Sequence, residues 1–200
     1  MKVIVIGATG TIGNAVAKAL AAKKHEVVPA SRHGDVKVDL ENAASIRALF
    51  GTVRDADAVV CCAGNAAFKP LADLTDVDYE LGLRSKLMGQ VSLAQIAMDH
   101  LRDRGSITLT AGALAREPMP GSASISMINA GLEGFTRAAA LEMPRGLRIN
   151  VVSPPWVRET LIHFGMDPAI GLAAAEVAKA YVAAVEGTDQ GAVLDPRQSG

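Results

Sequence analysis

Short apolar runs alternate along the chain with longer segments in which apolar residues recur every three or four positions, the pattern of buried parallel strands covered by amphipathic helices. Val3 to Ile6 is predicted as the first strand and Asn14 to Lys23 as an alanine-rich helix, followed by a second strand over Glu26 to Ala30 and a short third over Val36 to Val38. Ala43 to Phe50 reads as a helix, Ala58 to Ala63 as strand four, and Val77 to Arg104 as one long helix whose start Thr75 marks. Ser106 to Thr110, Arg148 to Val152 and Ala192 to Leu194 complete the strands, with helices over Ser122 to Met143 and Ala173 to Glu186 between them. The expected architecture is α/β, a doubly wound parallel sheet of about seven strands with helices on both faces in three α/β/α layers.

Two connections are short. Only Ser31 to Asp35 separate the second and third strands, too few for a crossover helix, so that helix is expected to be missing and the sheet edge reduced. Between Val152 and Ala173 the chain carries Pro154, Pro155 and Pro168 and leaves little material for a lid.

Half of the 200 residues are apolar, enough for one well-buried core, and a single domain over 1–200 is expected, since a chain of this size hides roughly 70% of its unfolded surface. Twenty basic side chains stand against 21 acidic ones for a net charge of −1, so no strong field draws the protein to nucleic acid or anionic lipid, and a small, roughly neutral partner is expected. The opening MKVIVIGATG is too short in its apolar run for a signal peptide or a membrane span, which predicts a cytoplasmic protein. Cys61 and Cys62 are adjacent, a spacing that would strain a disulfide, and are read as reduced core thiols. No His, Cys or carboxylate spacing suggests a metal site.

Gly7, Gly10 and Gly13 sit three residues apart between an apolar strand and an alanine-rich helix. Glycine permits a tight turn and lets the backbone approach a pyrophosphate, which then rests on the helix N-terminal amides, so the turn predicts a Rossmann-type dinucleotide site. With GATGTIG at 7–13 go VDL at 38–40, CCAG at 61–64, LMG at 87–89, GSITLT at 105–110, AGLEGFTRAAALEM at 130–143 and RINVVSPPWV at 148–157. Together these blocks resemble the short-chain dehydrogenase/reductase family through most of the chain. The resemblance implies that Gly7, Thr9, Gly10, Thr11, Ile12 and Gly13 form the pyrophosphate turn. It also implies that Asp39 and Leu40 meet the adenine, that Cys62, Ala63 and Gly64 lie along the adenosine ribose, and that Pro154 and Val157 lie beside the nicotinamide. In the family, the end of strand two selects the cofactor. Here it carries no carboxylate but Ser31 and Arg32, a hydroxyl and a guanidinium suited to a 2′-phosphate, so NADP(H) is favoured over NAD(H).

The family's tyrosine, lysine and serine are expected at Ile125, Asn129 and Gly112, and all three side chains are absent. The chain's two tyrosines, Tyr79 and Tyr181, belong to helices remote from the nicotinamide on this register. The family's asparagine on the long helix is Lys86, so Lys86 and Asn129 stand exchanged, which would leave one ammonium and one amide in the same small volume. Ser122 shares a helix face with Ile125 and Asn129 and is the hydroxyl best placed to reach a substrate, while His163 in the short lid is the one histidine within reach. Two functions are compatible with this pattern. One is an NADP(H)-dependent oxidoreductase of a small carbonyl or alcohol, using Lys86, a serine or water for the proton; the other is an NADP(H)-binding sensor or partner protein without redox chemistry. The resemblance further implies a homodimer or homotetramer, and Leu132, Phe135 and Ala139 recur at helical spacing where family members associate.

Overall fold

In the computed structural model, which describes residues 1–198, β1 (Lys2–Ile6) is the third strand of a seven-stranded parallel sheet. On one side it pairs with β2 (Glu26–Ser31), which carries the two-residue β3 (Val36–Lys37) at the sheet edge. On the other side follow β4 (Ala58–Cys61), β5 (Ser106–Thr110), β6 (Arg148–Val152) and β7 (Val193–Leu194). Strand side chains alternate between the two faces. Ile4, Ile6, Val59, Ile107 and Leu109 pack with α2 (Ala43–Thr52), α4 (Gly89–His100) and α5 (Ala123–Ala139). Val3, Val5 and Val60 pack with α1 (Thr11–Ala22) and α7 (Ala174–Glu186). This is the expected Rossmann-type three-layer arrangement, and the chain reverses its winding between β1 and β4, where open α/β sheets form their ligand crevices.

The connection from β2 to β3 contains no helix, and β3 pairs with β2 only at Ala30 with Val36 and Ser31 with Lys37, as the short spacer requires. The long helix expected over Val77 to Arg104 is instead broken. α3 (Asp76–Gly82) gives way to a π-helical stretch over Leu83–Met88 before α4, and α4 ends at His100, where Leu101 is extended. Arg104 has φ 62°, in the left-handed region, which no helix can continue through. The central helix also ends earlier than expected, at Ala139, ahead of Pro144. One element is new: α6 (Arg158–His163) folds in the proline-rich segment, where Arg158 donates its backbone N–H to Leu172 and Leu172 its own to Trp156.

The positions expected to mark an association face are drawn largely into this chain's own core. Leu132 is fully buried, and Phe135 and Ala139 pack against the same cluster. The apolar side chains left exposed nearby are Val77, Leu81, Leu83, Met88 and Met127. Among the described residues no helix is long and apolar enough to cross a membrane.

Candidate active site

β1 runs straight into the glycine turn, and helix α1 starts at Thr11, earlier than its apolar periodicity indicated. Gly7 adopts φ +79° and its N–H bonds to Ala30 O at 2.9 Å, tying the turn to the end of β2. A Cβ on Gly7 would meet Cys62 O at 2.9 Å, and one on Gly13 would fall 2.0 Å from Gly7 O. Helix and turn therefore pack backbone to backbone. Gly10 caps α1 without any side-chain hydrogen bond, and no acidic residue occupies the first turn, so the amides and the positive end of the helix dipole are left for a ligand. A cleft of about 450 Å³ opens over this turn. Gly7, Thr9 and Gly10 form its floor, Cys62, Ala63 and Gly64 one wall, and Ser31, Arg32, Asp39 and Leu40 its far end. His33 lies at that end too. Ser31 Oγ is buried without a hydrogen-bond partner, and Arg32 is exposed. An orphaned hydroxyl beside a guanidinium, at the far end of a glycine cradle, fits the phosphorylated ribose of an NADP-type dinucleotide.

A second cavity, of about 570 Å³, lies between the end of β5, the start of α5 and the proline-rich segment, and Ile12, Pro154 and Val157 line it. Thr11 belongs to neither space but to a groove on the outer side of the turn. The π-helical stretch joins the two, since Ser85 lines the first cleft and Lys86 the second cavity. A helix locally widened to i→i+5 bonding is frequent at functional positions. The side chain of Lys86 lies along Gly64, whose Cβ, if present, would meet Lys86 Cγ at 2.8 Å, and Gly64 holds φ +132°. Its Nζ donates to Ala111 O at 3.0 Å. Burial of the ammonium, opposed only by the nearby Cys61, lowers the pKa of Lys86 to about 8. Four residues on, the buried Gln90 donates to Thr110 O at 2.9 Å and accepts from Thr110 N at 2.8 Å, a pair of hydrogen bonds that fixes α4 against the end of β5 and with it the register of Lys86.

Asn129 reaches the same cavity from α5, and Ile125 lies one turn before it. Asn129 is buried, its Oδ1 has no partner, and its Nδ2 would stand 2.8 Å from a Cβ at Gly112. The bare Gly112 is thus what makes room for the Asn129 amide. Ser122 does not join them. Its hydroxyl accepts from Met119 N at 3.1 Å and from Ser126 Oγ at 3.0 Å, it is 1% exposed, and it does not line the cavity. The helical-face reasoning failed there because Ser122 is the N-cap residue, turned into the preceding loop. His163 is exposed against Phe164, also off the cavity. Tyr181, by contrast, comes closer than its place in the last helix suggested. Its hydroxyl lies 2.7 Å from Thr110 Oγ1, but it is fully buried, and burial raises its pKa well above the ordinary value.

Residues 3–189 match the family described as enoyl-(acyl carrier protein) reductase. The chain belongs to the short-chain dehydrogenase/reductase family. A protein of solved structure from Listeria innocua is 40% identical, with 98% of each chain covered and a TM-score of 0.92. A small-chain dehydrogenase solved in complex with NADPH is 26% identical, with 98% of this chain and 95% of that chain covered and a TM-score of 0.85. A hydroxynaphthalene reductase-like protein of Metarhizium brunneum is 31% identical over 134 residues, which are 64% of this chain and 50% of that protein; the chain thus spans about half the length of that curated relative.

Within this short-chain dehydrogenase/reductase fold, the residues that sequence reasoning missed are Gln90, Trp156, Glu117 and Arg197. Gln90 was hidden inside an apolar helix pattern, though an amide one turn after Lys86 was a visible signal. Glu117 and Arg197 lie 80 positions apart and meet only in the folded chain.

Proposed function

We propose that the protein is an NADP(H)-dependent oxidoreductase of a small carbonyl compound or alcohol, in which Lys86 manages the proton in place of the tyrosine. The observation that carries this reading is the Lys86 ammonium, held on Ala111 O in the cavity that Asn129, Pro154 and Val157 also line, beside the glycine cradle. A bound nicotinamide would supply or accept the hydride. Ile12, Pro154 and Val157 would hold the nicotinamide end and exclude water from one side. Lys86, with a pKa near 8, is charged at neutral pH yet gives up its proton readily, as a general acid for a developing alkoxide must. Before that step its charge also stabilises the oxygen electrostatically. Asn129, with a free Oδ1, would accept from a ribose hydroxyl or from the ammonium itself and so keep Lys86 oriented. Incubation with NADPH and a broad panel of aldehydes and ketones should consume NADPH with at least one member. A protein that binds NADPH and consumes none across the panel is a cofactor-binding protein only.

The cofactor is NADP(H) in preference to NAD(H). The unpartnered Ser31 hydroxyl and the exposed Arg32 support this, as does the NADPH bound to the small-chain dehydrogenase neighbour. Charge-assisted hydrogen bonds contribute about 1.5–3 kcal/mol, so Arg32→Ala is expected to weaken NADPH roughly ten- to hundredfold and to leave NADH almost unchanged. Calorimetric titration with both cofactors measures this, and equal weakening of the two sinks the assignment.

The protein also associates with its own copies, as family resemblance implies. Val77 and Leu83 on the broken long helix and Met127 on α5 leave apolar area open at neighbouring elements. Light scattering should give a mass of at least a dimer, and a monomer at micromolar concentration excludes it.

A further inference from the structure

The second cavity combines polar and apolar lining. Lys86 and Asn129 line it, as do the apolar Ile125, Trp156, Ile170 and Leu172 and the charged pair Glu117 and Arg197. Arg197 sits in the turn Pro196–Gln198 and is gripped from behind by Asp195, with Nε 3.0 Å from Asp195 Oδ1 and Nη2 2.6 Å from Oδ2. The Asp195 carboxylate is 5% exposed, so this grip fixes the plane and direction of the guanidinium. The other edge of the fork carries a second bidentate pair, to Glu117, at 3.0 Å from Nη1 and 2.6 Å from Nη2.

The two carboxylates differ in kind. Asp195 is part of the packed protein, whereas the Glu117 side chain is 57% exposed, in the loop after β5. An exposed ion pair contributes only about 0–1 kcal/mol, and Glu117 released from Arg197 returns to water at little cost. A guanidinium oriented by one buried carboxylate, with its other edge paired to an exposed one that lines the same cavity, is a preformed carboxylate site with an internal occupant.

We infer that Arg197 is the specificity-determining residue of the substrate cavity, and that the substrate is a carbonyl compound bearing a carboxylate, which displaces Glu117 from the guanidinium. The inference rests on the oxidoreductase reading of the cavity. The apolar body of such a substrate lies along Trp156 and Ile125, and its carbonyl faces Lys86. Carboxylate is favoured over larger anions because the group that fills the fork, Glu117, is itself a carboxylate in two-oxygen contact.

Trp156 is the only tryptophan of the chain and lines the cavity, so binding can be read without turnover from its fluorescence. The probes are benzoylpropionate and benzoylpentanoate, each beside its methyl ester. At least one acid is expected to bind several-fold more tightly than its ester, a charge-assisted pair offset in part by the Glu117 pair it replaces. Arg197→Met should abolish the difference. Glu117→Gln, which keeps the loop's shape but weakens the internal competitor, should tighten the acid several-fold and leave the ester unchanged. Because the two variants are expected to move affinity in opposite directions, simple damage to the C-terminal turn cannot imitate the result. Equal binding of acid and ester by the parent protein, or weaker acid binding in Glu117→Gln, overturns the inference. NADPH consumption is followed separately. Acid-selective binding with no consumption of NADPH upholds the Arg197 site and overturns the oxidoreductase reading; consumption with esters as readily as with acids does the reverse.

Discussion

Lys86→Met is expected to lower turnover by on the order of a hundredfold or more while NADPH affinity stays within a few fold. Methionine keeps the packing along Gly64 and removes only the charge and the donor to Ala111 O. The pH profile separates a proton-handling lysine from a structural one. In the direction of carbonyl reduction the protonated amine is the active form, so the parent's rate should fall as pH rises through about 8, and the variant's residual rate should lack that limb. Stability has the opposite slope. The folded-state pKa lies below the ordinary lysine value of 10.5, so between about 8 and that value the unfolded chain holds more protons, and stability from this group rises with pH. The methionine variant should lose that rise in denaturant titrations on either side of the window. Unchanged turnover in Lys86→Met, or a parent rate flat through pH 8, removes Lys86 from the chemistry.

How far this site could be read from sequence depends on which features are local. The turn at Gly7, Gly10 and Gly13 was legible because a strand, a fixed glycine spacing and a helix lie next to one another in the chain, and each imposes its own residue types. The missing helix before β3 was legible for a similar reason, since the spacer from Ser31 to Asp35 is too short to hold one. The exchange of Lys86 and Asn129 could be read only by register against a family. The structure then adds that both line one cavity and that Gly112 leaves room for the Asn129 amide. What stayed hidden is non-local or depends on rotamers. The direction of the Ser122 hydroxyl follows from its cap position, the π-helical break follows from packing, and the Glu117 to Arg197 pair joins distant parts of the chain. Leu132 misled for a related reason: helical periodicity marks an apolar face but not whether it meets the chain's own sheet or a second copy.

Gly13→Ala is the substitution expected to do the most damage to the cofactor site. Its Cβ would stand 2.0 Å from Gly7 O and 2.6 Å from Gly7 C, both backbone atoms, so no side chain can swing aside. Two ways of relieving the clash exist, and each breaks something named. Moving Gly7 disrupts its N–H bond to Ala30 O and the Gly10 N–H bond that Gly7 O accepts, both 2.9 Å, and with them the cradle. Moving α1 outward instead unpacks Val16 and Leu20, which are fully buried against the α7 side of the sheet. Overpacking of this sort costs about 1–3 kcal/mol or more, and a cradle shifted by a fraction of an ångström no longer aims the α1 amides at a pyrophosphate. The variant should therefore melt earlier and bind NADPH at least about a hundredfold more weakly. Gly51→Ala is the matched control, because a Cβ there meets nothing within 4 Å and the residue lies inside α2. It should leave NADPH binding untouched and raise stability by at most about 0.5–1 kcal/mol, since the residue stands in the last turn of α2 and that is the gain for alanine over glycine in a helix interior. A Gly13→Ala protein that bound NADPH like the parent would mean that the turn is not the pyrophosphate site, whatever its fold.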